Sequence, residues 1–126
     1  MDFMDSTQSD KLEWRGEAPN DIAYHEGTPF TGRVEDFYKN GQKETEANYK
    51  DGKLDGLETE WYENGQKADE ANYKDGKLWT AVVWKPNGEK CPVTNVKDGD
   101  GVGVRYNEDG TEKARYTYKD GEVVRD

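Results

Sequence analysis

Polar and apolar residues alternate along most of this chain in runs of about six to eight residues, and each run stops at a glycine. The punctuating glycines are Gly41, Gly52, Gly65, Gly76, Gly88, Gly99, Gly110 and Gly121, at spacings of 11, 13, 11, 12, 11, 11 and 11 residues. Each follows an Asn or Asp: Asn40, Asp51, Asn64, Asp75, Asn87, Asp98, Asp109 or Asp120. Such dipeptides accept the positive φ that tight hairpin turns demand. The pattern therefore predicts hairpins. Joined in order, they form one antiparallel meander in which neighbours cover every strand edge but the two terminal ones.

The alternation is itself repeated. Residues 38–54, YKNGQKETEANYKDGKL, return as residues 62–78, YENGQKADEANYKDGKL, with only three of seventeen positions changed. A period of this size marks a repeat architecture. Full repeats are read at 32–55, 56–79, 80–101 and 102–126. A degenerate half-repeat covers 12–31, where Tyr24-His25-Glu26-Gly27 replaces Tyr49-Lys50-Asp51-Gly52. Residues 1–11 are polar and aperiodic and read as a flexible tail. The predicted fold class is all-β, a single-layer antiparallel meander of roughly ten strands, on the order of 45 Å long.

Pro86, just before Asn87-Gly88, suits the first central position of a type I turn, with the glycine at positive φ in a three-residue loop. Extending that loop to every turn sets Tyr62 opposite Gln66 and Trp61 opposite Lys67. Trp61, Lys67, Asp69, Ala71 and Tyr73 then share one face, as do Phe37 with Tyr49, Trp84 with Val96, and Tyr106 with Tyr118. The other face carries Asp36, Glu44, Glu46, Glu58, Glu60 and Glu70, with Tyr38 and Tyr62 among them. These eight residues are the candidate partner-binding site, because tyrosines beside carboxylates make a plausible protein-binding patch. The 13- and 12-residue gaps predict extra bulges.

The chain is 31% hydrophobic and 37% charged, values that lean towards disorder. The scheduled placement of aromatics and glycines argues for an ordered, thin sheet instead. The net charge of −10 disfavours nucleic acid and anionic membrane surfaces and favours a basic protein partner. Cys91 is the single cysteine, so no internal disulfide forms. No apolar run is long enough for a membrane helix, and the first residues carry neither a basic nor an apolar leader segment.

The sequence assembles no recognisable catalytic set. His25 is the only histidine, so neither a hydrolytic triad nor a zinc cluster assembles. Glu58 and Glu60 point the same way, as a glycosidase pair does, but a thin sheet is expected to leave them solvated. Asp98-Gly99-Asp100-Gly101 lacks the further ligands of a calcium loop. No catalytic residue, metal or cofactor is expected.

The unit [FW]-Y-x-N-G-Q-K-x-x-E-x-N-Y-K-D-G-K-L, preceded by Pro29-Phe30-Thr31-Gly32-Arg33, resembles the MORN-repeat variant found in YwqK-type antitoxins of bacteria. The resemblance covers about residues 12–126. The third repeat departs most: Thr80 stands where Gly56 and Gly103 stand elsewhere, and Lys90-Cys91-Pro92-Val93 replaces the usual strand. The resemblance implies a toxin-neutralising or immunity protein that binds a partner protein, and the acidic face suits a basic toxin such as a nuclease. It implies the cytoplasm for an antitoxin. An envelope or secreted location, with a structural role and no dedicated toxin, is the alternative.

Overall fold

Two kinds of turn alternate along the chain. The computed structural model describes residues 6–17 and 21–124. At Asp51-Gly52 both residues are left-handed, with φ of 51° and 85°, and the same holds at Asp75-Gly76, Asp98-Gly99 and Asp120-Gly121. These are two-residue loops, in which Lys50 faces Lys53 and Lys74 faces Lys77. At Asn40-Gly41, Asn64-Gly65 and Asn87-Gly88 only the glycine has positive φ. There the loop has three residues: Gly65 N–H donates to the Tyr62 carbonyl at 2.9 Å, and Tyr62 N–H to that of Gln66 at 2.8 Å. The expectation of three-residue loops throughout is therefore corrected at the first four Asp-Gly turns named. Aspartate tolerates the left-handed region, and two left-handed residues match the twist of the flanking strands. The Asp109-Gly110 turn behaves like the Asn-Gly ones, with only Gly110 at positive φ.

The strands are β1 (Ser6–Thr7), β2 (Glu13–Arg15), β3 (Ile22–His25), β4 (Thr28–Pro29), β5 (Gly32–Phe37), β6 (Lys43–Lys50), β7 (Lys53–Trp61), β8 (Lys67–Lys74), β9 (Lys77–Val83), β10 (Gly101–Tyr106), β11 (Glu112–Lys119) and β12 (Glu122–Val123). The all-β hairpin architecture is the one the turn spacing predicts. Its ladder is divided into three open sheets: a central one in the order β1-β5-β6-β7-β8-β9, and two smaller ones, β2-β3-β4 and β10-β11-β12. The division after β9 falls in the divergent third repeat. Pro92 has no N–H for a ladder. Thr94 Oγ1 and Asn95 Oδ1 accept the Val104 and Val102 N–H groups at 3.1 and 2.8 Å, so side chains take bonds that a strand partner would make.

A one-residue slip accompanies each three-residue loop of the central sheet. Asp36 pairs with Thr45 but Phe37 with Lys43, and Glu60 pairs with Asp69 but Trp61 with Lys67. Glu44 and Ala68 are the extra, bulged residues. Alternation therefore changes phase beside the turn. One face, here called inner, carries Val34, Asp36, Ala47, Glu58, Glu60, Asp69, Ala71 and Tyr73. Trp61 and Lys67 lie on the outer face, so the expected sharing of a face by Trp61 with Asp69, Ala71 and Tyr73 does not occur. Phe37 and Tyr49, and Tyr106 and Tyr118, are separated by the same slip. Further register shifts lie between Ala47 and Tyr49 and between Asn72 and Tyr73, in the hairpins closed by the turns that bound the long gaps.

The core lies on the inner side in three clusters. Leu12, Ala23, Phe30 and Val34 pack with Tyr49; Ala71, Leu78 and Val96 pack with Tyr73 and Tyr118; Val83 and Val104 pack with the buried Cys91. Residues 6–11, read as part of a flexible tail, are built into the fold. Ser6 and Thr7 pair in parallel with Arg33 and Val34, and Ser9 N–H donates to Asp36 Oδ1 at 2.9 Å. Residues 1–5 of that tail, residues 18–20 of the half-repeat and residues 125–126 of the last repeat lie outside the described residues.

The two-residue Asp-Gly turns dock on their neighbours. Gly52 is buried; its N–H donates to the Phe30 carbonyl at 2.8 Å and its carbonyl accepts from Ala23 N–H at 3.0 Å. A Cβ on Gly52 would lie 2.3 Å from Ile22 Cγ2 and 2.8 Å from the Ala23 carbonyl oxygen, whereas one on Gly41 meets nothing within 4 Å. Both glycines have positive φ, so both alanine variants carry backbone strain of about 1 kcal/mol or more. Gly52→Ala adds a clash with backbone, and should cost a further 1–3 kcal/mol or so in urea unfolding. Equal midpoints for Gly41→Ala and Gly52→Ala would contradict this docking.

Candidate functional site

Glu58 and Glu60 alternate along β7 onto the inner face, and the slip beside the Asn64-Gly65 turn brings Asp69 of β8 across from Glu60. One oxygen from each of the three carboxyl groups lies within 4.8 Å of the others. Arg105 of β10 reaches over this cluster, with Nη1 at 3.2 Å from Glu60 Oε2 and 3.5 Å from Asp69 Oδ2. Glu58 and Asp69 are only 8% and 7% exposed, so the expected solvated acidic face is corrected here. The bulge turns Asp69 inward, and the C-terminal hairpin covers what the inner face presents.

Crowding pushes the three acids apart in proton affinity. Burial first, and the neighbouring Asp69 next, raise Glu58 far above the ordinary carboxylate range. Burial and Glu60 push Asp69 up to about 7. Burial also opposes ionisation of Glu60, but a hydrogen bond from Glu58 and the Arg105 guanidinium outweigh it and hold Glu60 below its usual value. A protonated Glu58 thus donates to an ionised Glu60, which is paired with Arg105. Asp69 Oδ1 is buried and has no hydrogen-bond partner.

The tyrosines expected as exposed anchors are staples between repeats. Tyr38 Oη donates to the Trp61 carbonyl at 2.7 Å, and Tyr62 Oη to that of Trp84 at 2.5 Å. Asn40 and Asn64 repeat the device with their amides, to the Glu63 and Pro86 carbonyls at 3.3 and 3.0 Å. Tyr62 is 6% exposed and its hydroxyl is pushed up to about 12, chiefly by burial. Among the remaining candidates, Asp36 holds the Ser9 N–H. Glu46 and Glu70 lie on the outer face, bonded to Lys43 at 2.5 Å and Lys67 at 2.8 Å. Glu44 is exposed at its bulge. The eight residues do not form one surface.

The outer face carries apolar side chains that the assumed phase placed elsewhere or left unassigned. Phe37, Leu57 and Trp79 are 47%, 42% and 44% exposed. Lys43 Nζ lies 5.8 Å from the Trp61 ring centroid, and Lys67 and Lys74 each lie 5.7 Å from those of Trp84 and Trp79. These lysine–tryptophan pairs cover part of the face with alkyl stems and charge. At the Asp-Gly end of the inner side, a groove of about 720 Å³ is lined by Trp14, Tyr49, Tyr73 and Tyr118, with Lys53 and Lys77 among its polar residues.

Residues 30–51 and 54–75 match the model of the MORN repeat variant. This part of the chain is built of MORN repeats, a class of generally protein- or membrane-binding modules. No curated protein and no solved structure matches the chain. Each matched MORN segment runs from a core-facing apolar residue, Phe30 or Leu54, through a three-residue loop to the next aspartate, Asp51 or Asp75. The second contains Glu58, Glu60 and Asp69.

Glu58 and Asp69 bind protons more tightly in the folded chain than in the unfolded one. The stability linked to those protons is complete below about pH 4 and is lost as pH rises through about 7 for Asp69. Unfolding free energy should therefore fall between about pH 5 and 7, by on the order of 1 kcal/mol per pH unit. Asp69→Asn keeps the neutral form at every pH and should lower that slope, leaving the part that Glu58 contributes. An unchanged slope in Asp69→Asn, from denaturant melts in a metal-chelated buffer, would remove Asp69 from the account.

Proposed function

We propose that this chain is a non-enzymatic module that binds a partner protein, and that the partner is a basic toxin which it neutralises as an antitoxin or immunity protein. The observation that supports binding is the outer face of the central sheet, where Phe37, Leu57 and Trp79 stand exposed on a rigid ladder. Large exposed apolar side chains rimmed by charge are what protein interfaces use as anchors. The net charge of −10 favours a basic partner by steering it during encounter. The MORN match supports a binding role and is neutral about the toxin.

A hydrolase role for the carboxyl cluster finds no support in the geometry. Glu58 and Glu60 have divergent proton affinities, as an acid–base pair requires. But the C-terminal hairpin covers them, and the cavity beside Asp69 and Arg105 is about 30 Å³. That is room for one water, not for a sugar or peptide.

The test is capture of a partner from the native lysate on immobilised wild-type chain, followed by affinity measurement on variants. Truncating Leu57 and Trp79 to alanine should weaken binding by about 2 kcal/mol or more, mainly through faster dissociation. Glu46→Lys with Glu70→Lys should slow association at low salt and leave dissociation nearly unchanged. Co-expression with the captured protein should relieve any growth arrest that it causes. Full affinity in the Leu57/Trp79 variant would move the interface elsewhere. A captured partner with no toxicity would favour a structural, envelope-associated role over the antitoxin.

A further inference from the structure

We propose that Glu58, Glu60 and Asp69 form a binding site for one divalent cation of calcium size, set between β7 and β8 beneath Arg105. The inference is independent of the partner and rests on geometry at the inner face. Three carboxyl oxygens from three side chains converge within 4.8 Å. Asp69 is 93% buried by its 7% exposure, and its Oδ1 is a buried acceptor with no donor. Orphaned acceptors at such depth are rare and mark a missing positive or donating group.

Charge counting agrees. Once a cation displaces the proton on Glu58, the three carboxylates carry −3 and Arg105 returns +1, which leaves −2 for one divalent cation to balance. Arg105 Nη1 is engaged by Glu60 Oε2 at 3.2 Å and Asp69 Oδ2 at 3.5 Å. Asp69 Oδ1 and the Glu58 carboxylate are therefore the natural first ligands. The ligand set is all oxygen, which selects hard cations and not zinc or copper. Calcium accepts irregular oxygen geometry, whereas magnesium demands a near-octahedral shell and gives up its waters reluctantly, so carboxylates fixed on two strands beside a guanidinium favour calcium. A cavity of about 30 Å³ lined by Asp69 and Arg105 has room for one water ligand on the Asp69 side. Protons compete for the same oxygens, so cation and proton are alternative occupants of one site. The Asp98–Asp100 turn, which resembles a calcium loop in sequence, is a hairpin turn whose Asp100 Oδ1 accepts the Asp120 N–H at 2.9 Å.

Calorimetric titration of the chelator-stripped full chain with calcium chloride at pH 7.5 tests this. One calcium per chain should bind with a Kd of roughly 10⁻⁴–10⁻³ M, as for sites with few charged ligands. Magnesium should bind at least tenfold more weakly. Calcium at 10 mM should raise the melting temperature by several degrees at pH 7.5 and by much less at pH 5. The isosteric pair Glu58→Gln and Asp69→Asn should abolish both effects while circular dichroism stays unchanged. If that pair unfolds the chain, Asp69→Asn alone should weaken binding at least tenfold. Asp98→Asn with Asp100→Asn should bind calcium as the wild type does. No heat and no melting shift at 10 mM calcium would overturn the proposal. So would undiminished binding in Asp69→Asn, which would place the ion on the surface.

Discussion

Each three-residue loop of the central sheet is paired with one extra residue on the returning strand, and that residue decides which side chains meet the interior. At Ala68 the extra residue moves Asp69 from the side of Trp61 to the side of Glu60. Without it, the Trp61–Lys67 pairing would set Glu60 opposite Ala68 and Glu58 opposite Glu70, and Asp69 would lie on the side of Trp61. With it, three carboxyl groups converge and the tryptophans turn outward. A bulge leaves one residue out of the ladder and inverts the face beyond it, so a local loss of pairing has a large consequence for the surface.

The inverted phase also explains how the repeats adhere. The turn residues Tyr38 and Asn40 bond the backbone at Trp61 and Glu63, one repeat on, and Tyr62 and Asn64 bond that at Trp84 and Pro86. The opposite edge is held by Asp-Gly turns docked on neighbouring backbone, as at Gly52. The sheet has little apolar core, and these polar staples at its two edges supply the contacts that a thicker fold takes from packing. The inner face is then occupied by tyrosines, small residues and the C-terminal hairpin, and the outer face is left for a partner.

Most of the architecture was legible in the sequence, because Asn-Gly and Asp-Gly dipeptides report turns through backbone sterics alone. Glycine spacing marked the hairpins at 41, 52, 65, 76, 88, 99, 110 and 121. It did not distinguish two-residue from three-residue loops, since one residue can be exchanged between a loop and a bulge at constant spacing. Everything that depends on phase was hidden for that reason: the inward turn of Asp69, the outward turn of Trp61 and the staple role of Tyr62. The burial of Glu58 needed a second, longer-range fact. Arg105 meets Glu60 from 45 residues away, across a third repeat in which side chains replace the ladder. The divergent Lys90–Val93 segment signalled a departure there but not its direction.

The phase of the central sheet is tested most directly by thiol labelling in a Cys91→Ala background. Single cysteines would be placed at Glu46, Glu58, Asp69 and Glu70, and folded variants reacted with a charged maleimide. Cysteines at 46 and 70 should label rapidly, and those at 58 and 69 at least tenfold more slowly under native conditions, with the difference lost in denaturant. Equal native rates at all four positions, or fast labelling at 69 with slow labelling at 70, would contradict the phase slip and the carboxyl cluster built on it.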